Sequence, residues 1–337
     1  MKNIIFYLCL FRAVPTFAQE AEADAPPPRG WEFGAGIGLD LAQLLQINPK
    51  QGAGQNRLGI GGATNFFGKF RQDRQNWDNL ASWQFGLQRL GSGVIAQGTD
   101  DKIPFQKEID ELRLNSKYGY RTSEESKFYY TVNGTFLSQL TPTYQFPNIY
   151  PGNFVTDFPE TGRTPLSRFF APATVTLSAG IDYKPNENFS LFYSPLASKF
   201  IIVASDSIAA LGVHGNEVSG EAVNGFFPEF ENVDAQLGSL AQLQYLNNFW
   251  NERATITSSL NLYSNYLRNP QNVDLDWTNT LVYKLTENFQ LTLIVNAFYD
   301  DDVRVQITDY DAPNGVNGLG NRVSITQQFL ISYARTF

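Results

Sequence analysis

ATVTLSAGIDY, residues 173–183, alternates apolar and polar side chains at every position. Because the side chains of a β-strand point to opposite faces in turn, this stretch predicts a strand with one apolar and one polar face. Residues 31–41, WEFGAGIGLDL, alternate in the same way, with Trp, Phe, Ala, Ile and Leu on one face and Glu, Gly and Asp on the other. The dominant period of the chain is therefore two, the period of strands.

The alternation recurs along the chain and predicts twelve strands. They lie at residues 31–43, 57–70, 79–90, 108–121, 127–139, 171–183, 189–197, 232–246, 253–267, 273–285, 289–300 and 322–337. Twelve is an even number, as a closed bacterial barrel requires, and most segments reach the roughly 9–11 residues that a tilted membrane strand needs. Ten or fourteen strands stays an alternative, because the second, third and seventh segments alternate less regularly.

The connections between these segments fall into two classes. Every second connection is short and rich in turn-forming residues, at residues 71–78, 122–126, 184–188, 247–252 and 286–288. Most of the others are long, at residues 91–107, 140–170, 198–231 and 301–321. Short periplasmic turns and long extracellular loops are typical of outer-membrane barrels.

Composition supports a membrane barrel. Charged residues make up 17% of the chain, against about 25% in soluble domains, and no apolar run reaches the roughly 20 residues of a membrane helix. A soluble β-sandwich is the alternative, but it would not gather aromatic rings at one end of its strands as a membrane girdle does. The outward aromatic residues at the predicted periplasmic ends are Trp31, Phe33, Tyr118, Tyr120, Phe128, Tyr130, Tyr183, Phe189, Tyr245, Tyr283, Phe289, Tyr333 and Phe337. The expected fold is all-β, a transmembrane antiparallel up-and-down β-barrel of about 12 strands.

Residues 1–18 predict a cleaved signal peptide. Lys2 supplies the positive start, residues 4–11 the apolar core, and Thr16-Phe17-Ala18 a small-residue cleavage site. The only cysteine, Cys9, lies inside this segment, so the exported protein is expected to hold no disulfide. The expected location is the cell outer membrane.

Two further regions follow the signal peptide. Residues 19–30 contain three consecutive prolines and are expected to form a periplasmic tether, and residues 31–337 form the barrel. Loss of Lys2 and Arg12 with the signal peptide takes the formal net charge from −8 to about −10, which argues against a nucleic-acid partner. The barrel surface implies outer-membrane lipid as a partner, and the aromatic residues Tyr333 and Phe337 resemble the terminal signal that barrel-assembly machinery recognises during insertion.

The polar faces place charges at two heights of the predicted lumen. The acidic residues expected towards the outer mouth are Glu111, Asp234, Asp274, Asp276 and Asp300, and the basic residues expected towards the inner end are Lys117, Arg121, Arg253 and Lys284. Such rings can favour the passage of cations. The alternative, which the modest width of a twelve-strand barrel favours, is that the charges pair with each other and plug a narrow lumen.

The loops offer weaker functional candidates. Asp301, Asp302, Asp309, Asp311 and Asn314 supply hard oxygen ligands that suit Ca²⁺, but without the spacing of an EF-hand. The loops 140–170 and 198–231 are aromatic enough to fold into the mouth or to contact other envelope proteins.

A hydrolase built on the barrel is the alternative from another functional class. The sole histidine, His214, would need a nucleophile such as Ser207 or Ser219. A catalytic triad is not expected, because His214 lies in a loop between Gly212 and Gly215. No cofactor is predicted.

Several motifs carry a family resemblance. They are Ser194-Pro195-Leu196-Ala197-Ser198-Lys199, Leu211-Gly212-Val213, Ser264-Asn265-Tyr266-Leu267 with Asn272-Val273-Asp274-Leu275-Asp276-Trp277, and Tyr299-Asp300-Asp301-Asp302. The chain resembles a Bacteroidetes outer-membrane family known only as a domain of unknown function, most clearly from about residue 170 onward. The resemblance implies a barrel and a compartment, and it supplies no substrate or catalytic residue.

These observations favour a non-enzymatic protein. It is expected to be either a narrow passive pore or a membrane-embedded subunit of a larger outer-membrane assembly, such as secretion, transport or barrel-assembly machinery. The alternative is an outer-membrane lipid hydrolase that uses His214.

Overall fold

The computed structural model describes residues 12–13, 29–47, 57–90, 106–143, 165, 167–286, 289–301, 303, 305–309 and 316–334. Within these residues twelve long strands form one sheet. They are numbered here β1 (Gly30–Ile47), β2 (Arg57–Gln72), β3 (Gln75–Leu90), β4 (Gln106–Arg121), β5 (Phe128–Ser138), β6 (Ala173–Asn186), β7 (Phe189–Ile202), β8 (Val233–Phe249), β9 (Ala254–Asn265), β10 (Asp274–Lys284), β11 (Phe289–Tyr299) and β12 (Ser324–Ala334).

The sheet closes on itself. Each strand pairs antiparallel with the next along the chain, and β12 pairs back onto β1 over the register from Ile325 opposite Ile47 to Ser332 opposite Asp40. Closure leaves no open edge, which the bilayer demands because an unpaired backbone amide in hydrocarbon is costly. The predicted twelve-stranded barrel is confirmed, and the sandwich alternative is wrong.

The three segments that alternate less regularly are full strands. In particular, β2 and β3 are longer than expected, because Gln72 pairs with Gln75 and only Asp73 and Arg74 remain in the turn. Asp73 has a φ of 47°, in the left-handed region that tight hairpin turns use. The predicted connection over residues 71–78 is therefore mostly strand.

The remaining elements are short. Residues Arg12–Ala13 pair in parallel with the end of β12 at Tyr333 and Ala334. A helix, α1, spans Asp206–Ala209, and two small ladders join Val218–Ser219 to Glu229–Phe230 and Val305–Thr308 to Val316–Gly320. Among the described residues no helix has the length and apolar character needed to cross a membrane.

The two ends of the barrel differ as predicted. At one end, called the turn end below, short connections join β2 to β3, β4 to β5, β6 to β7, β8 to β9 and β10 to β11. At the other, the loop end, long connections follow β5, β7 and β11, and a shorter one follows β9. Residues 144–164, with Phe146, Tyr150, Phe154 and Phe158 of the predicted loop 140–170, lie outside the described residues.

The wall of the barrel is apolar on the outside and polar on the inside. On β5, Phe128, Tyr130 and Val132 are exposed, whereas the alternating Thr131 and Asn133 are buried. On β1, Phe33 is 73% exposed and Ile37 63%. A soluble sheet protein buries its apolar face, so this inverted arrangement is that of a transmembrane barrel.

Polar groups on the outer wall satisfy each other. The Trp77 indole N–H donates to Ser116 Oγ at 2.8 Å, and Ser116 donates to Asn79 Oδ1 at 2.7 Å. The far side of the barrel repeats the arrangement with Trp277, Ser258 and Asn279, in which both hydrogen bonds measure 2.9 Å. Such pairing lowers the cost of polar groups against lipid.

The long loop after β7 folds into a cap with a core of its own. Ala171, Val203, Ile208 and Ala209 are fully buried together, and Phe230 packs against them. The buried Asn216 amide donates to the carbonyls of Ala209 and Glu231, both at 3.0 Å. This cap, residues 203–232, lies at the loop end, and a side chain at Gly215 would be in contact with Ile201 of β7.

Candidate lumen site

A buried ion cluster occupies the lumen near the turn end. The Asp182 carboxylate on β6 is fully buried. Lys117 Nζ lies 2.7 Å from one of its oxygens and Lys184 Nζ 3.4 Å from the same oxygen. Ser190 on β7 donates to the other oxygen at 2.6 Å. One carboxylate therefore holds two ammonium groups from two different strands.

Aromatic rings surround this cluster. Arg121 donates to the Tyr129 hydroxyl at 2.8 Å, and both Arg121 and Lys184 lie over the Tyr129 ring, at 5.1 and 5.2 Å from its centroid. Lys117 Nζ lies 4.9 Å from the Phe192 centroid. Ring faces attract cations, so the aromatic residues offset the excess of positive charge around Asp182.

An apolar layer lies on the same lumen wall. Phe192, Ala197, Leu240 and Tyr263, from β7, β8 and β9, are buried in contact with each other. Phe192 joins this layer to the Asp182 cluster through Lys117, and Tyr263 joins it to charges further towards the loop end. This part of the lumen wall is therefore apolar.

A second charged cluster lies towards the loop end. The buried Asp234 accepts from Arg268 at 3.0 Å and from the Gln236 amide at 2.8 Å. Arg268 also forms an ion pair with Glu217 of the cap. Arg268 thus ties the cap to the lumen wall.

Three further carboxylates meet on this side. Asp274, Asp300 and Asp301 each place a ligand-type oxygen within 4.8 Å of the others. Lys199 Nζ lies 3.7 Å from Asp274, so an ammonium already lies beside the group. Asp276 accepts a hydrogen bond at 2.7 Å from the side-chain amide of Asn296, so its partner is neutral.

The structure brings together only part of the predicted calcium loop. Asp301 lies beside Asp274 and Asp300, whereas Asp309 accepts from Asn317 at 3.2 Å in the separate loop hairpin. Asp302, Asp311 and Asn314 lie outside the described residues. Calcium binding stays a prediction.

The other predicted lumen residues lie as follows. Glu111 pairs with its strand neighbour Arg113 at 2.9 Å, not with a residue across the lumen. Lys284 is the last residue of β10. Arg253 was expected on β9, but it is exposed in the turn before that strand, because β9 begins only at Ala254.

The terminal signal is described in part. Tyr333 lies in β12 opposite Phe289, and Phe337 lies outside the described residues. The function of both residues in insertion stays a prediction.

The sequence analysis did not identify several charged residues of the site, among them Asp182, Lys184, Lys199 and Arg268. Asp182 and Lys184 had an available signal, since both fall on the polar face of the β6 pattern. No such signal marked Lys199, because strict alternation along β7 would place it on the outward face with Leu191 and Tyr193. Arg268 lies in the connection after β9. Its contacts depend on how the cap folds, so the sequence pattern did not identify it.

The candidate hydrolase residues lie in the cap. The Ser219 hydroxyl donates to the Glu229 carboxylate at 2.5 Å, and the hydroxyls of Ser205 and Ser207 lie 3.1 Å apart. Of the two candidate nucleophiles, Ser219 therefore contacts a carboxylate and Ser207 contacts another hydroxyl. The hydrolase alternative stays a prediction.

Fold and site together define a transmembrane β-barrel whose lumen contains paired charges. Residues 46–144 match the model of a family described as a protein of unknown function, DUF3078. This agrees with the expected domain of unknown function. The match covers less than half of the chain, however, and it lies in the N-terminal part, whereas the motifs that suggested the resemblance lie beyond residue 190. No curated protein matches the chain.

Several solved outer-membrane proteins have a similar strand arrangement. The NanC porin is 9% identical with a TM-score of 0.39, over 88% of this chain and 100% of the porin. An outer membrane channel from Pseudomonas putida F1 is 12% identical with a TM-score of 0.38, over 95% and 100% of the two chains. Outer membrane phospholipase A from Escherichia coli is 9% identical with a TM-score of 0.39, over 89% and 90%. These values describe a coarse likeness, so function has to be argued from the side chains.

Proposed function

We propose that this protein is a non-enzymatic outer-membrane β-barrel that acts as a narrow passive pore. The observation that carries the proposal is the combination of an apolar outer wall with a polar lumen in which charges from β4, β6, β7, β8 and β10 are held in pairs. A wall of this kind is stable only in a bilayer, and a polar lumen is the route that it leaves for water and ions.

The pairing makes the pore narrow. Side chains that neutralise each other over intervening strands, such as Lys117 on β4 with Asp182 on β6, occupy space in the lumen. The layer of Phe192, Leu240 and Tyr263 adds bulk beside them. A barrel of twelve strands is intermediate between filled and open barrels. The proposal is therefore a restricted pore for small ions or solutes rather than a wide general porin.

Location in the outer membrane is part of the proposal. The signal peptide at residues 1–18 would deliver the chain to the periplasm, and assembly machinery would insert it through the C-terminal strand. Fractionation of the envelope tests this point: the protein should be found with outer-membrane markers and require detergent for extraction.

Planar-bilayer recording tests the pore. Purified protein should give small stepwise currents with a preference for cations, and the double variant Asp274→Asn, Asp276→Asn should reduce that preference. Asp309→Asn removes a charge of the same sign outside the lumen wall and should leave it unchanged. Bilayers that stay silent with correctly folded protein would refute the pore.

A subunit of a larger envelope assembly is the second candidate. It is favoured by exposed apolar side chains on the cap, where Val223 is 68% and Val213 44% exposed. Gentle detergent extraction followed by mass spectrometry should then recover a constant partner, and Val223→Ser with Val213→Ser should release it. Silent bilayers together with such a partner would favour this candidate.

The lipid hydrolase is the alternative that the proposal excludes. If the protein is not an enzyme, a strain with His214→Ala should show the same phospholipid profile as the parent strain. An accumulation of phospholipid in that strain would reopen the enzymatic function.

A further inference from the structure

Strand β7 contains a β-bulge around Pro195. The register with β6 runs from Leu196 opposite Ala179 to Tyr193 opposite Ile181, so Ser194 and Pro195 together face the single residue Gly180. The register with β8 shifts at the same height. Proline has no N–H to donate to a ladder, and a bulge is one of the few places where a strand accommodates it.

Neighbouring residues are adapted to this bulge. A side chain at Gly180 would place its Cβ 2.0 Å from the Tyr193 carbonyl oxygen, so only glycine permits this close approach of the two strands. The buried Ser194 hydroxyl lies within hydrogen-bonding distance of the carbonyls of Ala179, at 2.8 Å, and Leu196, at 2.7 Å. The surrounding residues therefore accommodate and stabilise the bulge.

The bulge exchanges the two faces of β7. Before it, Phe192 and Ser194 are buried inside and Tyr193 is exposed outside. After it, Leu196 is exposed and Ala197 is buried. Lys199 follows Ala197 by two residues and so points into the lumen, whereas uninterrupted alternation would have turned it towards lipid.

Inside the lumen Lys199 reaches over two intervening strands to β10. Its ammonium lies 5.3 Å from the Tyr263 centroid on β9 and 3.7 Å from Asp274 Oδ2. Asp274 belongs to the group with Asp300 and Asp301. Because β10 follows β8 and β9 around the barrel, this contact bridges a sector of the lumen and does not merely join adjacent strands.

We propose that Lys199 is the residue that sets the ion selectivity of the lumen, by neutralising Asp274 across it. The proposal rests on the proposed pore and deepens it. Asp234 is already neutralised by Arg268 and Asp276 has an amide partner. Lys199 is therefore an ammonium group that offsets the negative charge of the group formed by Asp274, Asp300 and Asp301 at this height.

Three variants of the Lys199–Asp274 pair and one control variant test the proposal. In a KCl gradient, Lys199→Gln should raise the K⁺ to Cl⁻ permeability ratio by about twofold or more, since the variant loses the ammonium beside Asp274 and keeps the carboxylate charge in a narrow lumen of low dielectric. Asp274→Asn should lower the ratio, and the double variant should return close to the parent value. Lys127→Gln, which removes the same charge from an exposed turn, is the matched control and should leave the ratio unchanged.

The contact itself is testable without conductance. A zero-length carbodiimide reagent activates a carboxylate, and the deprotonated amine of a neighbouring lysine then displaces the urea to form an amide. Mass spectrometry of the treated parent barrel should therefore find Lys199 linked to Asp274. If the parent protein conducts no ions but forms this link, the proposed pore is refuted and the contact between Lys199 and Asp274 is retained. An unchanged permeability ratio in Lys199→Gln, or no such link in a folded barrel that is labelled elsewhere, would overturn the inference.

Discussion

Asp182→Asn is the substitution with the largest expected effect on the barrel. It retains the size and shape of the side chain but removes the charge that holds Lys117 and Lys184. The amide that replaces the carboxylate would keep one oxygen to accept from Ser190, so no cavity and no lost hydroxyl bond should complicate the result. What remains is a pair of ammonium groups whose nearest carboxylate partner is lost, with Asp78 opposite Lys117 on β3 as a remaining negative charge.

The size of the effect follows from burial. Asp182 is fully buried, and the Lys117 side chain is only 15% exposed. Removing one partner of a buried ion pair costs about 3–5 kcal/mol, which lowers the folding equilibrium constant by a factor on the order of 10² to 10⁴ at about 1.4 kcal/mol per tenfold change. The pair Arg113–Glu111 has side chains 49% and 36% exposed, so Glu111→Gln should cost no more than about 1 kcal/mol.

The assay is urea unfolding of the barrel in lipid vesicles, followed by tryptophan fluorescence, which five tryptophans provide. Asp182→Asn should lower the unfolding midpoint, and Asp182→Asn combined with Lys117→Met should recover part of the loss because one of the unpaired charges is gone. If Asp182→Asn unfolds at the same urea concentration as Glu111→Gln, the Asp182 carboxylate does not hold the lumen together and the reasoning fails.

Three further predictions concern other parts of the wall. Gly180→Ala should slow or prevent assembly, because its Cβ would meet the Tyr193 carbonyl at 2.0 Å; heat-modifiable migration on gels measures the folded fraction. Ser116→Ala should cost about 1–3 kcal/mol in the same urea assay by leaving the Trp77 indole N–H without its acceptor; no change would show that lipid headgroups or water replace it. Arg268→Gln should speed proteolysis within residues 203–232 while the barrel remains resistant, since this side chain ties the cap to the wall; equal cleavage rates would contradict that function.

Much of the barrel follows from local rules. The twelve strands, the alternation of turns and loops and the apolar exterior all depend on side chains two residues apart and on short connections, which the printed sequence displays directly. The polar face that holds Asp182 was visible in the same way, in the stretch from Ala173 to Tyr183.

The partners in the lumen were decided only by the tertiary structure. Which charges meet depends on register and on the closure of the sheet, so Asp182 with Lys117 and Asp234 with Arg268 join residues that no spacing rule connects. The bulge at Pro195 shows the reason most clearly. One extra residue in β7 reverses the faces of the strand and moves Lys199 from the lipid side to Asp274. The two-residue period of the sequence does not reveal this bulge, because the pairing with the neighbouring strands defines it.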